Sequence, residues 1–293
     1  MLLINGNLRS LLLVEIVMET LTVTLAYIIV FALGASIGSF LNVVVYRIPA
    51  NISILWPPSR CPHCLHKLGK RENIPVLGWI LLKGRCRHCK TKISPRYPLV
   101  EAITGIIFLL VFARYDISIE TLGYWSFLSW LLALSLIDLD TMTLPNPLTQ
   151  SGLIAGLLFQ GILGFAQTSQ LSGISSHLMT GIIGGVVGIW LFDIISFSGS
   201  ILFRKTVMGG GDAKLAAMMG AWLGWKYLLL SGFLACLVGA FGGGGAIALK
   251  LINRQQPIPF GPFLALGAAL TLFCGEAILS TYLHLFFPIA LKF

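Results

Sequence analysis

Apolar residues run along the chain in long blocks that polar segments separate. The first clear block extends from about Leu21 to Val45 and ends at an aromatic residue and a cation, Tyr46-Arg47. After a polar segment, 46–98, further apolar blocks lie near 99–114, 121–138, 148–167, 179–203, 213–225, 227–249 and 260–288. Since a helix of about 20 apolar residues crosses the hydrocarbon core of a bilayer, the pattern predicts an all-α polytopic membrane protein. It predicts about eight transmembrane helices, of which the sixth is unusually short.

The start of the chain is less clear than the rest. A short apolar run, Leu11 to Val14, is followed by Glu15 and Glu19, which makes a poor secretory signal. We therefore expect residues 1–20 to form an interfacial or periplasmic lead-in and residues 21–45 to form the first transmembrane helix. The polar segment 46–98 and a helical membrane domain, 99–293, follow.

The composition agrees with this class. Apolar residues make up 56% of the 293 residues and charged residues 11%, against roughly a quarter charged in an ordinary soluble domain. The mean hydropathy of +0.88 argues against a soluble enzyme.

The formal net charge of +9 has one main source. Residues 47–96 hold eleven of the 20 Lys and Arg residues, and Glu72 is the only acid among them. Clustered cations can neutralise nucleic-acid phosphates, but in a membrane protein basic loops more often stay on the cytoplasmic side. We therefore place segment 46–98 in the cytoplasm and expect no nucleic-acid partner.

The other loops test this orientation. The loops near 115–120 and 168–178 then lie outside, and they contain no Lys or Arg. The loops that lie inside are basic, with Arg204, Lys205, Lys250 and Arg254. Lys226, in an external turn, is the exception, and both chain ends are expected outside.

Four cysteines in the cytoplasmic segment form two C-x-x-C pairs, Cys61-Pro62-His63-Cys64 and Cys86-Arg87-His88-Cys89, separated by 21 residues. This spacing is close to that of zinc ribbons, in which four thiolates bind one tetrahedral ion. Disulfides are disfavoured in the cytoplasm, and a redox enzyme would not need two matched pairs. Because cysteine fills all four ligand positions, we predict one structural zinc ion per chain, with no open position for catalysis.

Two aspartates differ from the other acids in or beside the apolar blocks. Asp138 ends the third block and precedes Leu144-Pro145-Asn146, whereas Asp212 follows the glycines 209–211. Two carboxylates that share a proton supply a general base and a general acid, which is sufficient to activate water against a peptide carbonyl. The simpler interpretation of each aspartate is a helix cap or an interfacial charge.

The residues alone therefore leave three hypotheses. The first is a hydrolase with two aspartates. The second is an ion-coupled transporter with intramembrane acids and a regulatory zinc loop, although the inverted repeats typical of transporters are not evident. The third is a noncatalytic scaffold that binds partners through the basic zinc loop and would tolerate loss of either aspartate.

Several segments together resemble one family, the type IV prepilin leader peptidases, which are bifunctional membrane aspartic proteases and N-methyltransferases. The matching segments, in order, are Gly34–Pro49 (GASIGSFLNVVVYRIP), the paired cysteines, Arg96–Gly105 (RYPLVEAITG), the two aspartate motifs and Pro259–Pro262. The resemblance implies a catalytic dyad of Asp138 and Asp212, with Asp212 in a Gly-x-Gly-Asp motif that begins at Gly209. Asp140 competes with Asp138 for the first position of the dyad. We prefer Asp138 because it stands seven residues before Pro145, which is the spacing of the first aspartate motif in the family that the chain resembles.

The resemblance also implies a reaction and a location. The basic leader of type IV prepilins, or of type II secretion pseudopilins, would be cut at the cytoplasmic face of the inner membrane. S-adenosylmethionine would then methylate the new N-terminal residue. For methyl transfer or substrate binding we expect Gly38, Asn42, Arg47 and Glu101, with Glu101 paired to Arg47 or Arg96. Helix packing and an interfacial ion pair would explain the same residues equally well.

Overall fold

A computed structural model of the chain describes residues 2–69, 71–204, 209–251, 253 and 257–286, with side chains from residue 14 onward apart from that of Phe203. Within these residues the secondary structure is helical and the strand content is limited to two isolated bridges. The helices are α1 Leu2–Arg47, α2 Leu77–Leu81, α3 Arg96–Tyr115, α4 Ile119–Thr141, α5 Asn146–Thr168, α6 Leu171–Phe203, α7 Gly210–Ala248 and α8 Gly261–Phe286. The predicted all-α class is confirmed.

Seven of the helices among the described residues are long and apolar enough to cross a membrane. They are α1 from Val14 onward and α3 to α8. Residues 2–20 of the predicted lead-in, 1–20, and the predicted first span, 21–45, lie in the single continuous helix α1, and Met1 lies outside the described residues. A change from polar to apolar residues therefore does not end this helix, because its backbone hydrogen bonds are made within the helix itself.

The seven candidate spans and the eight apolar blocks differ because α7 contains two blocks, 213–225 and 227–249. Gly224 interrupts α7 with φ 75° and ψ 168°, a conformation that glycine adopts far more readily than other residues. Before this point α7 runs antiparallel to α6: a Cβ on Gly188 would lie 2.6 Å from the Ala216 carbonyl oxygen, and one on Gly184 would overlap the Gly220 carbonyl.

Beyond Gly224 the direction of α7 along α6 reverses. A Cβ on Gly232 would lie 3.8 Å from the ring of Phe192. Phe192 belongs to the part of α6 that lies beside the start of α7, so the second arm has returned to that part of α6. Helix α7 is therefore a helical hairpin with its turn at Gly224. The first arm, residues 210–223, is about 21 Å long, which agrees with the short sixth block.

The chain divides into two compact units. The first contains Met1–Val43 and Leu55–Ile117, and the second contains Val44–Ile54 and Ser118–Phe293. All four paired cysteines belong to the first unit, and Asp138 and Asp212 both belong to the second.

The centre of the second unit is an aromatic stack. The indole of Trp222 on α7 lies between Phe127 of α4 and Phe159 of α5, with ring centroids 5.2 Å apart on both sides. The indole N–H donates to the Gly152 carbonyl at 2.8 Å. The stack fixes the first arm of α7, which carries Asp212, against α4, which carries Asp138.

Candidate active site and metal centre

Asp138 lies in the last turn of α4. This helix ends at Met142, whose left-handed conformation (φ 51°) stops the helix and whose N–H bonds to the Asp138 carbonyl. The side chain of Asp138 is 5% exposed, and its Oδ2 accepts a hydrogen bond from the N–H of Gly261 at 2.9 Å. Asp140, in contrast, is exposed.

Asp212 is the third residue of α7. Its N–H donates to the Gly209 carbonyl at 3.2 Å, which forms the first turn of the helix, and its side chain is partly buried. Contacts of Gly211 with Leu144 and of Lys214 with Asn146 place the start of α7 at the end of α4 that holds Asp138. The structure therefore brings the sequence-predicted pair to the same end of the second unit.

Four helix ends meet around these aspartates. A Cβ on Gly211 would lie 3.1 Å from Leu144 in the α4–α5 link, and Lys214 Nζ donates to Asn146 Oδ1, at the start of α5, at 2.7 Å. Together with the bond from Gly261 to Asp138 Oδ2, these contacts join the C-terminal end of α4 to the N-terminal ends of α5, α7 and α8. Because helix N-termini carry partial positive charge and unpaired N–H groups, they stabilise carboxylates.

The same contacts agree with the turn at Gly224. The N-terminal ends of α7 and α8 both lie at the end of α4 that holds Asp138. A helix that crossed once would deliver α8 to the opposite end, so α7 must cross and return.

Sequence reasoning missed Gly261 as a site residue. The available signal was its position between Pro259 and Pro262, immediately before the last apolar block. Two prolines around a glycine predict a sharp helix start, but its contact with Asp138, 123 residues away, depends on tertiary structure.

The four paired cysteines form one cluster. Their Sγ atoms lie within 4.8 Å of one another, with 3.8 Å between Cys61 and Cys89 and 3.9 Å between Cys64 and Cys86. A tetrahedral ion with Zn–S bonds of about 2.3 Å would hold its sulfurs about 3.8 Å apart, so the cluster fits such an ion. A disulfide would need about 2.05 Å.

Each C-x-x-C pair forms the same tight turn. The N–H of Cys61 bonds to the His66 carbonyl, and the N–H of Cys86 bonds to the Thr91 carbonyl, both at 2.9 Å. Antiparallel bridges close both turns, Arg60 with Lys67 and Arg85 with Lys92. The two turns therefore present their thiols in equivalent ways.

The surroundings lower the pKa of two thiols, which favours the thiolate that binds metal. Hydrogen bonding from the side chain and backbone of Thr91 lowers the pKa of Cys89 to about 6. The pKa of Cys61 is also lowered, chiefly by the backbone N–H of Cys64. At Cys64, in contrast, the backbone N–H of His66 lowers the pKa, but burial and the neighbouring cysteine thiols outweigh this bond and raise the pKa to about 11.

Two residues predicted for methyl transfer lie where α1 packs against α3. A Cβ on Gly38 would come within 2.7 Å of the Glu101 Cα, so Gly38 allows the helices to approach closely. The Glu101 carboxylate accepts a hydrogen bond from the N–H of Val76 at 2.6 Å. Helix packing and loop anchoring explain these contacts.

The other two residues of that prediction also bind backbone groups. Asn42 Nδ2 donates to the Tyr97 carbonyl at 3.1 Å, and Arg47 Nη1 donates to the Ser53 carbonyl at 2.9 Å. Within the part of the chain that the structure describes, these contacts do not distinguish a methyl-donor site from structural anchoring, and the assignment stays a prediction.

Comparisons with known proteins cover most of the chain. Residues 32–115 match the bacterial peptidase A24 N-terminal domain, and residues 125–244 match the type IV leader peptidase family. A prepilin leader peptidase/N-methyltransferase from Aeromonas hydrophila is 38% identical over 284 residues, which cover 88% of this chain and 94% of that protein. The protein of the same description from Stutzerimonas stutzeri is 35% identical, with 86% and 92% covered.

A third relative has a different description. The type 4 prepilin-like proteins leader peptide-processing enzyme of Escherichia coli O78:H11 is 37% identical over 258 residues, which cover 82% of this chain and 91% of that protein. No solved structure matches the chain.

Proposed function

The chain belongs to the type IV leader peptidase family, and we propose that it cleaves the basic leader of type IV prepilins or type II secretion pseudopilins and then N-methylates the new N-terminal residue. Asp138 and Asp212 are the catalytic pair. The observation that carries the proposal is the joint position of these aspartates where four helix ends meet, in a chain whose relatives are described as prepilin peptidases.

The aspartates divide the chemistry of hydrolysis between them. The ionised carboxylate takes a proton from water as the water attacks the scissile carbonyl, and the protonated one gives its proton to the leaving amine. The burial of Asp138 keeps bulk water away from this exchange. The N-terminal ends of α7 and α8 stabilise the negative charge that remains on the pair.

The choice of Asp138 over Asp140 is supported by burial and contact. Asp138 is buried and bonded to the start of α8, whereas Asp140 is exposed. A residue that exchanges protons with a bound peptide bond needs a fixed orientation, and Asp138 has one.

The reaction takes place at the cytoplasmic face of the inner membrane. The support is the distribution of Lys and Arg among the loops, which puts the ends of the helices that carry both aspartates inside. A basic leader stays in the cytoplasm for the same electrostatic reason, so enzyme and scissile bond lie on one side.

The cysteine cluster binds one structural zinc ion through Cys61, Cys64, Cys86 and Cys89. With four thiolates bound, zinc keeps no position for a substrate, so it stabilises the fold of its segment and takes no part in hydrolysis. S-adenosylmethionine supplies the methyl group for the second reaction, with Gly38, Asn42, Arg47 and Glu101 as the predicted residues near it.

The proposal is tested by prepilin cleavage with purified full-length variants. Asp138→Asn and Asp212→Asn each lower the cleavage rate by about 10³-fold or more, because proton transfer by a positioned group contributes about 10²–10⁴-fold and water activation needs both aspartates. Asp140→Asn is the matched control and retains cleavage. Substantial cleavage by Asp138→Asn or Asp212→Asn rejects a catalytic role for the residue that was changed. If Asp140→Asn loses cleavage and Asp138→Asn retains it, Asp140 is the catalytic residue in place of Asp138.

A further inference from the structure

We propose that Gly261 is a positioning residue of this active site. Its backbone N–H holds Oδ2 of Asp138, so that Oδ1 is the oxygen that takes the proton from water. The start of α8 is then a third element of the site, beside the ends of α4 and α7. This inference rests on the proposed function, because it assigns a role in the reaction of Asp138.

The geometry of the first turn of α8 directs this N–H toward Asp138. The N–H groups of Phe263 and Leu264 bond to the Phe260 carbonyl at 3.0 and 3.1 Å, so the turn closes on itself. Pro262 has no N–H group. The Gly261 N–H, which has no partner inside the helix, donates to Asp138 Oδ2 at 2.9 Å.

Only glycine fits at this position. A Cβ on residue 261 would lie 2.6 Å from Oδ2 and 3.2 Å from Cγ of Asp138, and the Asp138 side chain has little room to move because it is 5% exposed. Any larger residue must therefore push the carboxylate from its place or move the start of α8.

The contact also determines which oxygen of Asp138 can carry a proton. An oxygen that accepts an N–H bond offers a lone pair, and such a bond is stronger when the acceptor is ionised. A proton shared by the pair is then carried by Asp138 Oδ1 or by Asp212. The fixed N–H thus orients the carboxyl group and selects the oxygen that reacts.

Kinetics of prepilin cleavage provide the first test. Gly261→Ala lowers kcat by about 100-fold, because a displacement of about 1 Å at a reacting group costs that much, while KM changes by less than about 2-fold, because the substitution acts on the carboxyl group of Asp138. The matched control is Gly275→Ala on the same helix, whose Cβ would lie 3.0 Å from Thr271 and 3.1 Å from Tyr227. It disturbs the packing of α8 but not Asp138, and it retains kcat.

Two results overturn the inference. One is a wild-type kcat for Gly261→Ala. The other is an equal loss of kcat in Gly261→Ala and Gly275→Ala at an equal loss of melting temperature, which reduces the contact to helix packing. Absence of prepilin cleavage by the wild-type protein rejects the proposed function itself.

Hydrogen exchange of the Gly261 amide tests the contact without any substrate. In Asp138→Ala this amide loses its acceptor and exchanges about 10-fold faster or more, as measured by mass spectrometry on the peptide that contains it. In Asp140→Ala its exchange rate is unchanged. An unaltered rate in Asp138→Ala shows that the bond is absent and rejects the inference, whatever the activity of the enzyme.

Discussion

Two neighbouring glycines on α6 differ strongly in the space that is available for a side chain. A Cβ on Gly184 would overlap the carbonyl oxygen of Gly220 in α7, whereas the nearest atom to a Cβ on Gly185, the Ala217 carbonyl oxygen, lies 3.5 Å away. Both residues are helical and adjacent, so they differ mainly in the space beside them. Gly184 sets the distance between the two helices.

Alanine at these two positions should therefore have different effects. Gly184→Ala lowers the free energy of unfolding by about 1–3 kcal/mol, the usual effect of overpacking. Gly185→Ala leaves it unchanged or raises it by up to about 1 kcal/mol, since alanine favours the helix. Unfolding of the detergent-solubilised proteins, followed by far-UV circular dichroism, measures both, and equal effects would contradict the close approach of α6 and α7.

The residues of a site could be predicted from the sequence where they belong to a short local motif. The cysteines at 61, 64, 86 and 89 follow a spacing that a tight turn dictates, and the structure brings their thiols together. Asp138 and Asp212 were also predicted from their motifs, and their catalytic role stays a prediction. Gly261 could not be found, because its role depends on a partner 123 residues away.

Among the structural elements, residues 60–67 and 85–92 form two equivalent turns that meet at their thiols. An ion pair joins Arg87 to Glu72 at 3.9 Å, with the carboxylate 8% exposed. Such an exposed arginine adds little stability. A metal ion is therefore the main candidate for holding the two turns together.

The metal content can be measured directly. We expect the purified protein to contain about one zinc ion per chain and the double variant Cys61→Ser, Cys64→Ser to contain almost none, because two thiolates alone would not retain the ion. Elemental analysis by mass spectrometry gives the number. The matched control, Cys236→Ser with Cys274→Ser, changes two cysteines outside the cluster and keeps the ion; intact protein without metal would reject the zinc site.

Helix boundaries were less predictable than helix existence. Every apolar block lies largely in a helix, but α1 continues through the polar residues at its start and α7 joins two blocks. Hydropathy reports the environment of side chains, whereas the end of a helix depends on backbone conformation, such as that of Gly224. Hydropathy therefore indicates how many times the chain crosses the membrane better than it indicates where each helix ends.

At the scale of the whole molecule, the main result is the path of the second unit. After α4, three helices begin at the end of this unit that holds Asp138: α5, α7 and α8. The turn at Gly224 allows α8 to begin there, because it sends the second arm of α7 back toward the site. The order of crossings then follows from contacts and does not rest on hydropathy alone.

Reporter fusions test this path. With the proposed orientation, alkaline phosphatase fused after residue 225 is expected to be active, because the Gly224 turn would lie outside. Fusions after residues 204 and 251 are expected to be inactive, because both positions would lie in the cytoplasm. A single crossing by α7 would instead make the fusion after residue 251 active. Green fluorescent protein, which matures only inside, serves as the reciprocal control and gives the opposite pattern.

The bond between Gly261 and Asp138 also has a consequence for inhibitor design. If Asp138 and Asp212 are the catalytic pair, as proposed, a compound that mimics the attacking water with a hydroxyl group meets an Oδ2 of Asp138 that already accepts the N–H of Gly261. Because that N–H uses one of the acceptor sites of Oδ2, the hydroxyl binds more readily at Oδ1 of Asp138 and at the carboxyl group of Asp212. An asymmetric ligand of this kind should bind more tightly than a symmetric one, which would compete with the start of α8 for Oδ2.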